Sequence, residues 1–340
     1  MKTALLLFGG ESTEHDVSVA SAVNVSQAID PEQFIVAHAY IDREGTWWSV
    51  GGVNQTLPDN AKQLLPVLGK KSFIVEGTTT VIYPDVIVPV LHGVNGEDGS
   101  VAALGRLVHV PVVGCDMTAS AIAMNKYATK QLAAANGMNI VPFILHAQPD
   151  DRPNYDDVTE QLGATLFIKP VSTGSSVGVH KVTNQTEFHA ALTDAHLYDN
   201  NVLIEKAISA RELEVAVLGN YPTVAASAVS EVQADGEFYT YDSKYADTSA
   251  SQVIIPADIT DELSDSLRND AIRIFTVLGG SGLARVDFFV DKDTQTVYLN
   301  EVNTFPGFTN ISVYPKAWEH AGLSYTDLVG RLIQLAIDKN

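Results

Sequence analysis

One cysteine, Cys115, stands in 340 residues, so no internal disulfide can form and a reducing compartment is the natural setting. Basic side chains are scarce: 21 Lys and Arg face 41 Asp and Glu, a formal charge of -20. That balance repels nucleic acid and anionic membrane, so neither is expected as a partner. Any anionic substrate must then be met by lysines and arginines placed locally. No apolar run approaches the roughly 20 residues of a membrane span. The opening MKTALLLFGGE has five apolar residues before glycine, too few for a signal-peptide core, and a cytoplasmic location is expected. There is no internal repeat and no low-complexity tract. The 46% of hydrophobic residues permit a core large enough for two or three domains.

TALLLF (3–8) reads as a buried strand ending at Gly9-Gly10, and a helix follows with Thr13 and Asp16 in capping-box spacing. FIVAHAYI and DVIVPVLHG are further strands, and the alternation with helices predicts an α/β region built on a parallel sheet. The loops GGESTEH and HGVNGEDG both follow strand C-termini, the edge at which open α/β sheets bind ligands. HGVNGEDG spends three glycines, a histidine and two acids straight after a buried strand, more than a tight turn requires. One amphipathic helix is predicted over 118–137, closed by Asn136-Gly137. Strands IVPFIL, TLFIKP and VLIEKAI, with helices near 154–163 and 185–196, form an α+β region. The remainder is strand-rich, with helices near 261–278 and 324–338 and a long loop over 235–258.

The chemistry concentrates near the C-terminus. In GLARVDFFV a period of two puts Arg285, Asp287 and Phe289 on one face, and in TVYLNEVN it puts Leu299, Glu301 and Asn303 together. If DKDTQT closes a hairpin around Thr294, Asp287 falls opposite Glu301 and Arg285 opposite Asn303. Two carboxylates and an amide suit Mg2+; a solvated hairpin face is the plainer alternative. In LFIKPVSTGSSVGV, Lys169 precedes a Gly-Ser loop, which reads equally as a phosphate cover or a flexible tip. Glu205, Lys206 and Glu212 lie where the second region meets the third and could meet a nucleotide, or could be ordinary strand residues. Lys126 on the 118–137 helix is open to the same two readings.

Taken together, FGGESTEHDVS, LHGVNGEDG, ASAIAMNK, KPVSTGSSVGV, RELEVAVLG, YDSKYAD, RVDFF and EVNTFPGFTNISVYP resemble the D-alanine–D-alanine ligases of the ATP-grasp superfamily, in order and spacing, over almost the whole chain. The resemblance implies three domains: 1–115 with the first D-alanine site, 116–209 as a central ATP-grasp subdomain, and 210–340 with the metal and acceptor sites and a lid at 235–258. It implies that Lys126, Lys169 and Lys244 contact the ATP phosphates, that Ser176 also binds ATP, and that Glu205, Lys206, Ile208 and Glu212 bind adenine and ribose. Asp287, Glu301 and Asn303 would hold two Mg2+ ions, with Mn2+ able to substitute; a monovalent-cation requirement is left open. Glu14 would hold the first D-alanine's ammonium, with His92 near its carboxylate and Glu97 behind. Arg285 and the Gly307 backbone would stabilise the reacting centre, and Ser312 would bind the second carboxylate. Glu14, Ser175 and Tyr245 would form a hydrogen-bonded set.

The implied activity is ATP-dependent synthesis of D-alanyl-D-alanine for peptidoglycan precursors, by a homodimer. D-lactate or D-serine as acceptor is the runner-up, and Tyr245 favours D-alanine because lactate-forming relatives often carry phenylalanine there. GGESTEHDVS and EVNTFPGFT argue against other ATP-grasp ligases, and the intact Arg285, Asp287, Glu301 and Asn303 argue against a non-catalytic regulator. The chain departs from the family at Val171-Ser172-Thr173, at Ala210 and over 246–254.

Overall fold

The computed structural model describes the chain apart from residues 55, 150, 151, 234–251 and 340. Among the described residues the strands form three sheets. The first contains β1 (Lys2–Gly9), β2 (Phe34–Ile41), β3 (Trp47–Val50), β4 (Lys62–Val67), β5 (Ser72–Val75), β6 (Val81–Ile82) and β7 (Val86–Val90), in the order β6-β5-β4-β3-β2-β1-β7. The parallel pairing expected from the sequence holds at its centre, where β1 lies between β2 and β7. Beyond β2 an antiparallel meander, β3 to β6, extends the sheet. β1 is apolar and buried from Ala4 to Phe8, where both of its faces are covered. Ala4, Leu6 and Phe8 pack beneath helices His15–Ala28 and Tyr325–Asp338, while Leu5 and Leu7 pack with Val101 and Val108 of helix Ser100–Val108.

The second sheet holds β8 (Phe143–His146), β9 (Leu166–Pro170), β10 (His180–Val182) and β11 (Val202–Lys206), antiparallel and in the order β10-β9-β11-β8. Leu166, Ile168, Val202 and Ile204 pack against helices Tyr155–Leu162 and Gln185–Ala195. The third sheet holds β12 (Ala210–Asn220), β13 (Thr223–Gln233), β14 (Gln252–Ile254), β15 (Ser281–Asp291) and β16 (Val297–Asn303), in the order β14-β13-β12-β15-β16. The loop expected over 235–258 lies largely outside the described residues; within them, Gln252–Ile254 is a strand paired with β13.

Alternation along β12 and β15 positions the site. Leu213, Val215, Val217, Ala284, Val286 and Phe288 face a core shared with helix Asp261–Val277. The opposite face changes character along its length. Leu218, Ala216 and Leu283 join the core beneath the first sheet, whereas Glu214 stands beside Asp287 in register. Its apolar end anchors the sheet, and its charged end is left for chemistry.

Three expectations need correction. The 118–137 helix is two helices, Met117–Met124 and Lys126–Ala135. Asn125 between them is extended, its side chain accepts from the Ala128 N–H, and the Lys126 N–H donates to Val171 O at 3.0 Å. An asparagine that caps and a distant carbonyl that competes for the N–H together end the first helix. The Thr13–Asp16 capping box does not form; the helix starts at His15, and Glu14 at its N-cap makes no side-chain capping bond. A further helix, Val313–His320, precedes the last one.

Candidate active site

The β15–β16 hairpin pairs as its spacing implies, with Asp287 opposite Glu301 and Arg285 opposite Asn303. Arg285 grips Asp287 in a fork, Nε to Oδ1 and Nη2 to Oδ2, both at 2.7 Å, and also meets Glu214 Oε2 at 3.2 Å. Asn303 Nδ2 donates to Asp287 Oδ2 at 2.9 Å. Burial works against the guanidinium charge, but Asp287 and Glu214 outweigh it and hold the Arg285 pKa well above the usual value. Leu299 does not share this face. The register shifts after Asp287, so that Phe288 pairs with Leu299 and Asn300 becomes an extra residue. This bulge turns Leu299 into the apolar core while Glu301 and Asn303 stay on the charged face. Glu212, Glu214, Arg285, Asp287, Asn300 and Glu301 line a narrow crevice.

Carboxylates and an amide are hard donors that fit Mg2+, which habitually keeps waters and substrate phosphates in its shell. Among the described residues no cluster of three or more His, Cys, Asp or Glu could hold an ion unaided. A metal at Asp287, Glu301 and Asn303 would therefore depend on substrate oxygens to complete its coordination.

Against this face stand the loops of the first sheet. The buried Glu14 carboxylate lies between two glycines: a Cβ at Gly93 would sit 3.0 Å from Oε2, and one at Gly174 would sit 3.5 Å away. The N-terminal loops and the Gly-Ser loop thus meet at one carboxylate. His92 is buried; its Nδ1 hydrogen bonds to Phe305 O at 3.2 Å, and its Nε2 lies 3.4 Å from Ser21 Oγ. Burial lowers its pKa, although the Glu14 charge pulls the other way. Ser21 Oγ also accepts the Phe308 N–H at 3.4 Å, tying His92 to the 305–308 turn. Burial and then Glu14 push the Glu97 carboxyl well above its usual range, offset in part by the Gly93 N–H and Arg285.

The glycines of HGVNGEDG have separate reasons. Gly93 and Gly99 have φ of +71° and +92°, which favours glycine. Gly96 allows close approach: a Cβ there would come within 2.7 Å of the Leu91 carbonyl carbon. Gly307 is close to Ser312, whose Oγ would lie 2.8 Å from an added Cβ. Thr309 donates to Ser312 Oγ from its backbone N–H at 3.0 Å.

A second group gathers around the second sheet. Lys169 Nζ meets Glu205 Oε2 at 2.5 Å. Lys126 donates through Nζ to Thr173 O at the base of the Gly-Ser loop. Ser175 and Ser176 have φ of 49° and 59°, and consecutive left-handed residues can turn their N–H groups toward an anion. Lys206 is exposed and Ile208 half-buried where β11 leads to β12. There the Lys292 N–H donates to Ser209 O at 2.8 Å, extending the β12–β15 ladder of the third sheet by one bond. Lys244 and Tyr245 lie outside the described residues.

Two further residues emerge. Glu214 was legible in principle, two places after Glu212 in RELEV. Lys130, one helical turn after Lys126, reaches Glu205 Oε1 at 2.9 Å with its side chain 1% exposed, and nothing in the sequence marks it as buried.

The family model described as D-ala D-ala ligase N-terminus matches residues 3–115, and that described as D-ala D-ala ligase C-terminus matches 132–334. The D-alanine--D-alanine ligase A of Salmonella typhimurium is 41% identical, over 98% of this chain and 95% of its own. The solved D-alanine-D-alanine ligase of Coxiella burnetii superposes with a TM-score of 0.85 at 33% identity, covering 100% of this chain and 96% of that one. The VanG D-Ala:D-Ser ligase of Enterococcus faecalis superposes with a TM-score of 0.88 at 32% identity, covering 98% and 99%.

Proposed function

Because the chain belongs to the D-alanine–D-alanine ligase family, we propose that it joins two D-alanines into D-alanyl-D-alanine, consuming ATP and releasing ADP and phosphate. The product serves peptidoglycan precursor synthesis. The observation that carries this reading is the meeting of Glu14, His92 and the Gly174 backbone with the Arg285–Asp287–Asn303 group: directly after Asn303, Thr304 Oγ1 donates to the Glu97 carbonyl at 3.2 Å and Phe305 O bonds to His92 Nδ1.

A carboxylate is a poor electrophile and must be activated first. Transfer of the γ-phosphoryl group to the first D-alanine gives an acyl phosphate; the amine of the second attacks the acyl carbon, and phosphate leaves. Glu14 holds the first ammonium, with neutral His92 near the carboxylate and Glu97 behind it. Arg285 and the Gly307 N–H stabilise the charge that develops at the acyl centre. Ser312 holds the second carboxylate. Lys126, Lys169, Ser176 and Lys244 position the phosphates, and Glu205, Lys206, Ile208 and Glu212 position adenine and ribose. Asp287, Glu301 and Asn303 are the residues for Mg2+, which when bound neutralises phosphate charge during transfer. Glu14, Ser175 and Tyr245 join the first site to the 235–258 lid, which shields the acyl phosphate from water.

We also infer the domain division 1–115, 116–209 and 210–340, and a cytoplasmic homodimer. Among the described residues no helix is long and apolar enough to cross a membrane. Likeness to a D-Ala:D-Ser ligase supports a second reading, with D-serine as acceptor. The deciding assay measures phosphate release with D-alanine and ATP, then with D-serine or D-lactate added, and separates the products. Release with D-alanine alone is expected, giving the D-Ala-D-Ala dipeptide. No release without D-serine or D-lactate would replace this acceptor assignment.

A further inference from the structure

Lys130 takes no part in the reading above, yet its ammonium is buried against the one carboxylate that also holds Lys169. The Glu205 oxygens are divided, Oε1 to Lys130 Nζ at 2.9 Å and Oε2 to Lys169 Nζ at 2.5 Å. Across the sheet Glu205 is flanked by Phe143 on β8 and Phe167 on β9, and Lys206 beside it is exposed. The charges facing it from the elements packed around it are therefore Lys130, from helix Lys126–Ala135, and Lys169, from β9. Two ammoniums on one carboxylate leave a positive charge in excess, poorly solvated in the interior.

The two lysines differ in freedom. Lys130 is 1% exposed and Lys169 14%, with the Lys169 Nζ 5.6 Å from the centre of the Phe167 ring at the open side. A phosphate oxygen entering the cleft can draw Lys169 away, whereas Lys130 has nowhere to go. We propose that Lys130 is a positioning residue: it is the permanent counter-ion of Glu205, and so frees Lys169 to transfer to nucleotide phosphate. Without Lys130, each departure of Lys169 would strand an ionised carboxylate in the interior. The pKa of Glu205 is consistent: burial raises it, but Lys130 and Lys169 together bring it down to about 2. This inference rests on the nucleotide assignment of the 169–206 cleft.

The test compares ATP with adenosine, which shares the base and ribose but carries no phosphate, by isothermal titration calorimetry from pH 6.5 to 8.5. In Lys130→Met, ATP affinity is expected to fall by about tenfold or more and adenosine affinity by less than about threefold. The ATP deficit relative to the parent should narrow as pH falls, because protonated Glu205 needs no counter-ion. Dividing by the parent value cancels the nucleotide's own titration. Equal losses for both ligands with no pH dependence, or no loss at all, would overturn the proposal. Should Lys130→Met not fold, the double variant Lys130→Met/Glu205→Gln removes both charges. It must then prefer ATP over adenosine as strongly as the parent, and a lost preference overturns the proposal. If the parent itself shows no preference for ATP that Lys169→Ala reduces, the nucleotide assignment fails, and the inference with it.

Discussion

Asp287 faces Glu301 directly across the β15–β16 ladder, with its own oxygens taken up by Arg285 and Asn303. Glu301→Gln and Asp287→Asn are each expected to lower kcat at least about a hundredfold at saturating Mg2+, since each weakens metal binding and phosphate alignment. Asp287→Asn should also lower the melting temperature, because Arg285 loses its fork and keeps only Glu214, at a cost of up to about 3 kcal/mol. Near-parental turnover in either variant removes the metal assignment.

Lys169 reaches Glu205 from the strand that leads into the Gly-Ser loop. Lys169→Ala should raise the KM for ATP at least about tenfold and leave the KM for D-alanine nearly unchanged. The fold should tolerate it, since Lys130 remains on Glu205. Initial-rate kinetics with each substrate varied in turn decide the matter. A change confined to D-alanine would move the loop to a different ligand.

Gly96 presses on backbone, not on a side chain that could swing aside. In Gly96→Ala the loop carrying His92 and Glu97 must shift, at about 1–3 kcal/mol. A lower melting temperature and a raised KM for the first D-alanine are expected, with the KM for ATP unaffected. An unchanged melting curve would show that the loop relaxes freely and holds nothing.

Burial and then the Glu14 charge push the Glu97 pKa well above the usual carboxylate range. With a folded pKa above the unfolded value of about 4.3, stability is fullest below that value and is lost as pH rises toward the folded pKa. Glu97→Gln has no proton to lose. It should therefore be more stable than the parent at pH 7, and the advantage should vanish near pH 4. Melting curves of both proteins from pH 4 to 8 measure this. A constant difference across that range would mean that Glu97 titrates normally in the folded chain.

By itself the sequence determined whatever depends on neighbours along the chain. A period of two set Arg285 and Asp287 on one face, and a short polar turn set Asp287 against Glu301, because strand alternation and hairpin closure are local rules. The unbroken apolar run 4–8 required a strand covered on both faces. The motifs FGGESTEHDVS and EVNTFPGFTNISVYP carried the family, since their residues lie side by side in the chain. Tertiary structure decided what depends on distant partners. The bulge at Asn300 arises from pairing with β15 and sends Leu299 into the core. The break at Asn125 needs the Val171 carbonyl. Glu14 meets the Gly174 backbone only because two sheets are packed to bring them together. Burial follows the same logic: Lys130 reads as a surface lysine until helix and strand close over it, and only the interior can set an ammonium against Glu205 without water between.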